Sequence, residues 1–180
     1  MNDQLTVHVS DATVHINKYI IEIWEQYRQI ASESKEACGI LIGHQIQGTE
    51  IFQIEFVTTP QKLDIRTRYN FVMKDPFHQK FLDKKYQESH GTSIYLGTWH
   101  SHPQNIPIQS SIDEEDWKHC IARNVDRNLF FIIVGVQEIK IFRFKKNLLN
   151  TAPVIRFLLF YEYYIFLANI RSHSNQTPSL

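Results

Sequence analysis

The chain has 180 residues, 43% of them hydrophobic and 21% charged, which is ordinary for one compact globular domain with a sizeable core. Nineteen basic and nineteen acidic residues cancel, so no overall field draws the protein to nucleic acid or to an anionic membrane. Two distant cysteines form no disulfide framework and the first residues lack a secretory signal pattern, so we expect a cytoplasmic protein.

The N-terminal third predicts a hairpin, a helix and two buried strands. Residues 5–9 and 13–16 alternate as short strands around the turn-prone pair Ser10-Asp11. Asn17 is expected to cap a helix whose apolar positions recur at helical spacing, namely Ile20, Ile23, Trp24, Tyr27 and Ile30. Residues 37–43 and 51–58 are the two expected buried strands, joined at Gln47-Gly48.

The remaining elements mix strands and helices without regular alternation. A loop with Arg66 and Arg68 leads to a strand at 69–72, and Asp75-Pro76 starts a helix with an inner face of Phe77, Phe81 and Leu82. A strand at 93–102, a helix at 110–124 and a hairpin of 129–136 with 139–144 follow. The expected fold class is therefore α+β, or α/β with a mixed sheet flanked by helices.

The tail has a different composition. Residues 154–170 are mostly large apolar and aromatic side chains, interrupted by Arg156, Glu162 and Asn169. A membrane-spanning helix needs about 20 predominantly apolar residues, so we expect an extra helix or strand packed on the core or on a dimer partner, and association with a membrane surface is the less favoured alternative. We divide the chain into a domain at 1–150 and an aromatic extension at 151–180.

The most informative motif is Trp99-His100-Ser101-His102-Pro103, followed by Ser110 and Asp113. Side chains two apart on a strand share a face, so His100 and His102 can bind one ion, and Asp113 falls in the first turn of the next helix. Two imidazoles and one carboxylate give zinc three ligands and leave the fourth position for a water molecule, as in catalytic sites. Ser110-x-x-Asp113 alone is equally typical of a helix cap.

Amide hydrolysis at such a site also needs a proton for the leaving nitrogen. Glu36 is the candidate general acid/base because it precedes a buried apolar strand, where desolvation raises the proton affinity of a carboxylate. Ser110 is the candidate hydrogen-bond donor to the oxyanion, an effect worth roughly 3–4 kcal/mol at such sites.

Glu36 before the strand Gly39-Ile40-Leu41-Ile42-Gly43, then His-Ser-His-Pro and Ser-x-x-Asp, resembles the JAMM motif of the JAB/MPN metallo-isopeptidases. The longer string from Tyr95 to Pro103 is similar to the small JAB proteases of bacterial CBASS anti-phage operons. The resemblance covers residues from about 5 to 144.

The resemblance implies a JAB1/MPN-like fold and a Zn²⁺-dependent protease that cleaves after the C-terminus of a conjugated protein. In the CBASS group that protein is a cGAS-like nucleotidyltransferase. Carried over by position, His100, His102 and Asp113 are the metal ligands, Glu36 the general base and Ser110 the oxyanion donor. Two positions depart from the usual pattern: Thr98 replaces an acidic residue and Gln109 a proline.

Three further residues are candidates for substrate binding. Arg66 and Arg68 can steer a substrate main chain or carboxylate, although loop arginines are more often only solvated. Trp99 can line a substrate groove, although packing beside the site is its simpler role.

The sequence also bears on three other functions. The same motif suits processing of a ubiquitin-like sulfur-carrier protein, and a non-catalytic MPN scaffold could keep the fold without the chemistry. A zinc nucleobase deaminase needs His-x-Glu and Pro-Cys-x-x-Cys, which this sequence lacks. The expected partner is thus a protein substrate, not nucleic acid or membrane.

Overall fold

The computed structural model describes residues 4–145 and the backbone of residues 161–166. The elements in chain order are β1 (Gln4–Val9), β2 (Ala12–Asn17), α1 (Lys18–Gln26), β3 (Cys38–Gln45), β4 (Ile51–Val57), β5 (Ile65–Arg66), β6 (Phe71–Val72), α2 (Phe77–Glu88), β7 (Ile94–Ser101), α3 (Ser111–Arg123), β8 (Leu129–Val134), β9 (Glu138–Phe144) and β10 (Tyr161–Phe166).

Eight strands form one sheet in the order β1-β2-β4-β3-β7-β8-β9-β10, and β5 pairs with β6 in a separate small hairpin. The pairs β2–β4 and β7–β8 are parallel, and the other pairs are antiparallel. The mixed sheet with flanking helices confirms the expected α+β class.

Helices cover both faces of the sheet, which explains why β8 is an unbroken apolar run. Phe130, Ile132 and Val134 belong to the core cluster that includes Ile20 and Trp24 of α1. The alternate residues of β8, from Leu129 to Ile133, pack instead with Trp117 and Cys120 of α3. Because successive strand residues point to opposite faces, each residue of β7 that lies beside β8 likewise faces either α1 or α3.

A β-bulge in β7 sets the direction of the strand end. The pairing of β3 with β7 shifts between Leu41 opposite Gly97 and Ile42 opposite Tyr95. Gly97 has φ +127°, and a Cβ there would lie 1.9 Å from the carbonyl oxygen of Phe130. A side chain at this position is therefore excluded by both conformation and space.

The first helix begins where the sequence predicts it, but two details were wrong. Asn17 precedes the helix, yet its side chain donates to the Glu55 carbonyl and accepts from Gln53. The Asn17 Oδ1 that would accept from a helix N–H in a cap accepts from Gln53 Nε2 instead. Ile30 lies beyond the end of α1 and is 67% exposed, so it does not continue the apolar face.

The second helix also differs from its prediction. Its N-cap position is Pro76, although Asp75 still accepts a hydrogen bond from the Phe77 N–H. Phe77 is 41% exposed and stacks on Phe81, and the buried residue of the helix is His78. The prediction was wrong for Phe77 and missed His78, which is held inside by hydrogen bonds to Thr58 and Asp64, whereas Phe81 and Leu82 are partly buried.

The predicted strand at 69–72 is shorter than expected. It is reduced to β6, and its partner β5, which contains Arg66, was not predicted because two-residue strands have no periodicity.

Part of the aromatic tail lies in the described chain. Strand β10 pairs antiparallel with β9, with Tyr161 opposite Arg143 and Phe166 opposite Glu138. The rest of the predicted 154–170 segment, and the boundary near residue 150, lie outside the described residues. Within the described part, no helix is long and apolar enough to cross a membrane.

One buried carboxylate organises the loop between β4 and α2. The Asp64 side chain is fully buried and accepts four hydrogen bonds, from the N–H groups of Gln61 (2.7 Å), Lys74 (2.9 Å) and Asp75 (3.1 Å) and from His78 Nε2 (3.0 Å). Burial acts to raise the pKa of Asp64, but these bonds outweigh it and lower that pKa.

We expect Asp64→Asn to lower the free energy of unfolding at pH 7 by about 1–3 kcal/mol, because buried N–H groups lose a charged acceptor. A carboxyl with a lowered folded-state pKa stabilises the fold above its unfolded pKa of about 4 and stops doing so as pH falls through the lower folded value. The difference between wild type and variant should therefore shrink below about pH 4, as measured by urea unfolding.

The exposed Asp116 supplies the matched control. Asp116→Asn should change stability by less than about 0.5 kcal/mol. A difference for Asp64→Asn that stays constant or grows on acidification would contradict the role of the ionised carboxylate.

Candidate metal centre

Strand pairing brings Glu36 to the two histidines. Cys38 of β3 lies opposite His100 of β7, and the ladder continues one step through the Ser101 N–H, which donates to the Ala37 carbonyl at 2.9 Å. One further step of the same antiparallel register places Glu36 opposite His102. Since alternate strand residues share a face, Glu36, His100 and His102 point to the same side.

That side is the one covered by α3. His100 lies beside Ile133 of β8, which packs toward α3, whereas Trp99 lies beside Ile132, which packs toward α1. His100 and His102 therefore meet the start of α3, and Ser101 faces the opposite layer. This confirms the expected separation of the imidazoles from Ser101.

The four charged or titratable side chains form one buried cluster. The Nε2 atoms of His100 and His102 are 3.1 Å apart. Asp113 carboxylate oxygens lie 3.2 Å from His100 Nε2 and 3.5 Å from His102 Nε2. Glu36 Oε1 lies 3.3 Å from His102 Nε2 and 3.9 Å from His100 Nε2. All four residues are buried.

Asp113 is oriented by the helix cap of α3. Ser110 is the N-cap residue, and its hydroxyl accepts from the Asp113 N–H at 3.1 Å. Asp113 Oδ2 in turn accepts from the Ser110 N–H at 2.6 Å and from its hydroxyl at 2.8 Å. This capping box leaves Asp113 Oδ1 directed to His100, so the motif caps the helix and presents a carboxylate to the cluster.

The loop between His102 and Ser110 is fixed to the β8–β9 hairpin. The His102 N–H donates to the Val134 carbonyl (2.9 Å), and the Gln104 carbonyl accepts from the Val136 N–H (2.8 Å). Gln104 Oε1 also accepts from the Ile108 N–H at 2.8 Å. The distance from the histidines to Asp113 is therefore set by the sheet as well as by the helix.

The carboxylates and imidazoles adjust each other's proton affinity. Burial acts to lower the pKa of His102, but hydrogen bonding and charge from Glu36 and Asp113 outweigh it, so that pKa is raised. Burial acts to raise the pKa of Asp113, but bonds and charge from His100 and bonds from Ser110 hold it well below its usual range. Protons would therefore compete with a metal ion for His102.

The donor set fits a divalent metal such as zinc. Glu36, His100 and His102 each offer a ligand atom, and these atoms lie within 4.8 Å of one another. Asp113 contacts the same two imidazoles from its own side. Two nitrogen donors flanked by two carboxylates match the His and Asp/Glu ligands of catalytic zinc sites, with one carboxylate in excess of three ligands.

Trp99, one of the candidates for substrate binding, is a core residue. Trp99 is 0% exposed, donates from Nε1 to the Thr58 carbonyl (2.9 Å) and packs on Trp24 and Tyr27. Its proposed place in a substrate groove was wrong, because the strand alternation turns it into the core. Packing, the simpler expectation, is confirmed.

The two arginines lie on the loop beside the cluster. Arg68 Nη1 donates to the carbonyls of Ala31 (2.8 Å) and Ser32 (2.5 Å), so its guanidinium binds the protein's own backbone. Arg66 lies in β5 and is partly exposed, with a buried Nε that lacks a hydrogen-bond partner among the described residues. Thr98 and Gln109 are both partly buried.

Sequence reasoning missed three groups around the cluster. The Phe71 ring lies 5.3 Å from the ring of His100, and the Thr67 carbonyl accepts from the Glu36 N–H at 2.7 Å. Gln29 is buried behind the site. Their partners are distant in sequence, so no local pattern distinguishes them.

A mixed sheet with a buried His-His-carboxylate cluster at one strand end defines an α+β domain with a candidate metal site. A comparison with family profiles supports this, because the profile described as "Prokaryotic homologs of the JAB domain" matches residues 19–145. The chain belongs to this prokaryotic JAB family.

Curated relatives agree with the family. Three proteins named "CD-NTase/cGAS isopeptidase" are similar. The protein from Vibrio cholerae is 30% identical over 72% of this chain and 80% of its own length. The protein from Pseudomonas aeruginosa is 33% identical over 68% of this chain and 77% of its own length. The protein from Escherichia coli is 31% identical over 82% of this chain and 92% of its own length.

A solved structure is also similar. The solution structure of a protein from Desulfitobacterium hafniense matches with a TM-score of 0.49 and 27% identity, over 72% of this chain and 82% of that one.

We expect the purified protein to bind about one Zn²⁺ per chain, measured by calorimetric titration against a weak chelator. His102→Ala should weaken binding by more than tenfold, because one of the imidazole donors is lost. Affinity should also fall as pH drops, because the raised pKa of His102 makes protons stronger competitors.

His119→Ala is the matched control, since His119 is exposed on α3. It should bind zinc like wild type. Less than about 0.1 zinc per wild-type chain, or unchanged binding by His102→Ala, would contradict the metal centre.

Proposed function

We propose that this protein is a zinc-dependent isopeptidase that hydrolyses the bond after the C-terminus of a conjugated protein. Its substrate is a cGAS-like nucleotidyltransferase joined through its C-terminus to a target, and its setting is CBASS anti-phage defence. The observation that carries this proposal is the buried cluster of Glu36, His100, His102 and Asp113 in a JAB-family fold.

His100, His102 and Asp113 are proposed to hold the metal. Zinc, when bound, supplies Lewis acidity that makes water nucleophilic at neutral pH. Asp113 is the proposed carboxylate ligand because the helix cap holds its Oδ2 and leaves its Oδ1 directed to His100. Glu36 then remains available for proton transfer.

Glu36 is proposed as the general acid/base. Its Oε1 lies beside His102 at 3.3 Å and its backbone is held at the Thr67 carbonyl. From this position the carboxylate can accept the proton released by the attacking water and give it to the leaving amine nitrogen. One carboxyl group serves both transfers, so no second acid is required.

Ser110 is proposed to donate a hydrogen bond to the oxyanion of the tetrahedral intermediate. In the described structure its hydroxyl donates to Asp113 Oδ2, so it must turn away from that oxygen to do this. The Ser110 N–H, which is 2.6 Å from the same oxygen, can keep Asp113 in place during the rotation.

The nucleotidyltransferase substrate is favoured by the relatives. Three relatives that each align with most of this chain are named CD-NTase/cGAS isopeptidases, and these names favour a conjugated nucleotidyltransferase over a ubiquitin-like sulfur carrier. A non-catalytic scaffold has no need for the glutamate and the serine in addition to three metal ligands.

The first test is cleavage of a cGAS-like nucleotidyltransferase from the same genome, fused through its C-terminus to a reporter protein. The zinc-loaded protein should release the reporter, and EDTA should stop the reaction. Glu36→Gln should lower kcat by about 10²–10⁴-fold, the usual contribution of general acid/base catalysis, with zinc content unchanged.

Glu33→Gln is the matched control, because Glu33 is an exposed carboxylate three positions earlier, and it should cleave at the wild-type rate. Wild-type activity in Glu36→Gln would show that another group moves the proton. Cleavage of a sulfur-carrier fusion in preference to the nucleotidyltransferase fusion would favour the alternative substrate.

A second test concerns Ser110. Ser110→Ala should lower kcat by about 10²–10³-fold, the cost of losing one oxyanion donor, and should also lower stability by about 1 kcal/mol through the lost cap. Thermal unfolding separates the two effects. A drop in stability with an unchanged kcat would leave Ser110 as a helix cap only.

A further inference from the structure

We propose that Gln29 is a positioning residue for this reaction: its buried amide fixes the segment that carries Glu36 against the strand that carries the histidines. The inference rests on the proposed function of Glu36. Gln29 acts through its neighbours, because its amide contacts backbone carbonyls and a serine hydroxyl and not the metal-binding side chains.

All parts of the Gln29 amide are used. The side chain is on the α1 side of the sheet, and the residue is 1% exposed. Its Oε1 accepts from the Ser101 hydroxyl at 3.2 Å. Its Nε2 donates to the carbonyls of Ser34 at 3.2 Å and Arg68 at 2.8 Å. One side chain thus joins three segments that surround the site.

Ser101 connects this amide to the residue after Glu36. It is 0% exposed and lies between the two histidines, facing away from them. Its hydroxyl accepts from the Ala37 N–H at 2.9 Å, and its own N–H donates to the Ala37 carbonyl at 2.9 Å. A change at Gln29 is therefore transmitted to both the histidine strand and Ala37.

The Glu36 segment depends on such contacts because it precedes β3, which begins at Cys38. Glu36 is held by its N–H on the Thr67 carbonyl, and Gln29 holds the adjacent Arg68 carbonyl and the Ser34 carbonyl. Gln29 therefore binds the chain two residues before the glutamate directly, and the residue after the glutamate through Ser101. Loss of the amide removes the donor from these two carbonyls and frees the segment to move, and a shift of about 1 Å in a catalytic group can cost about 10²-fold in rate.

The test compares Gln29→Met, which keeps the side-chain length and removes the amide, with Gln26→Met, an exposed glutamine three positions earlier. Both are assayed as zinc-loaded full chains with the nucleotidyltransferase fusion. Gln29→Met should lower kcat by about 10–10²-fold, with KM within threefold of wild type and an unchanged zinc content. Gln26→Met should match wild type.

A double-mutant cycle shows whether the effect passes through Glu36. In single-turnover assays with Glu36→Gln as background, adding Gln29→Met should change the rate by less than twofold. If the two substitutions multiply, or if Gln29→Met alters KM or zinc content instead of kcat, the positioning role is wrong. A lowered melting temperature with wild-type kcat would likewise overturn it.

Gln29→Glu keeps the test decisive if the methionine variant does not fold. It retains the acceptor for Ser101 but loses the two donated bonds and sets a carboxylate oxygen against the two carbonyls, so kcat should fall by about tenfold or more; a wild-type kcat would contradict the inference. If the wild type itself does not cleave, or Glu36→Gln is fully active, the proposed function is contradicted, and the positioning role that rests on it is contradicted with it. If those two behave as expected and the Gln29 variants match wild type, only the positioning role fails.

Discussion

The antiparallel pairing of β3 with β7 is the constraint on which the site depends. Its register sets Cys38 opposite His100 and so brings Glu36 to residues more than sixty positions away. A slip of one residue would reverse the faces of a strand, turning Trp99 toward α3 and both imidazoles into the apolar layer under α1. The bulge at Gly97 and the bond from Ser101 to Ala37 hold this register at the end of β7.

One face of the sheet packs the apolar core, and the other face carries the buried charged cluster. On the α1 side, Trp99 fills the core and the Ser101–Gln29 pair supplies the polar contacts. On the α3 side, two carboxylates share two imidazoles, which is how buried charges are normally tolerated. A cation at this position would be surrounded by donors that the frame already holds, so the fold, the family match and the proposed chemistry support one another.

Most elements could be predicted from sequence because each carries a local pattern. The hairpins, the starts of α1 and α3 and the shared face of His100 and His102 follow from alternation and capping residues. Two errors come from tertiary competition, because Asn17 bonds across strands instead of capping and His78 is buried with Asp64. Others are local, because strand alternation turns Trp99 into the core and the two-residue strand β5 has no periodicity. Gln29 could not be singled out, because its partners come from three separate segments.

The most direct measurement is an anomalous-scattering map at the zinc edge from crystals grown with zinc. The account predicts one peak within about 2.0–2.2 Å of the Nε2 atoms of His100 and His102 and of an Asp113 oxygen, with Glu36 outside bonding distance and free to move protons. A map without density between these donors would contradict it. A peak bonded to Glu36 with Asp113 left free would reverse the proposed roles of the two carboxylates.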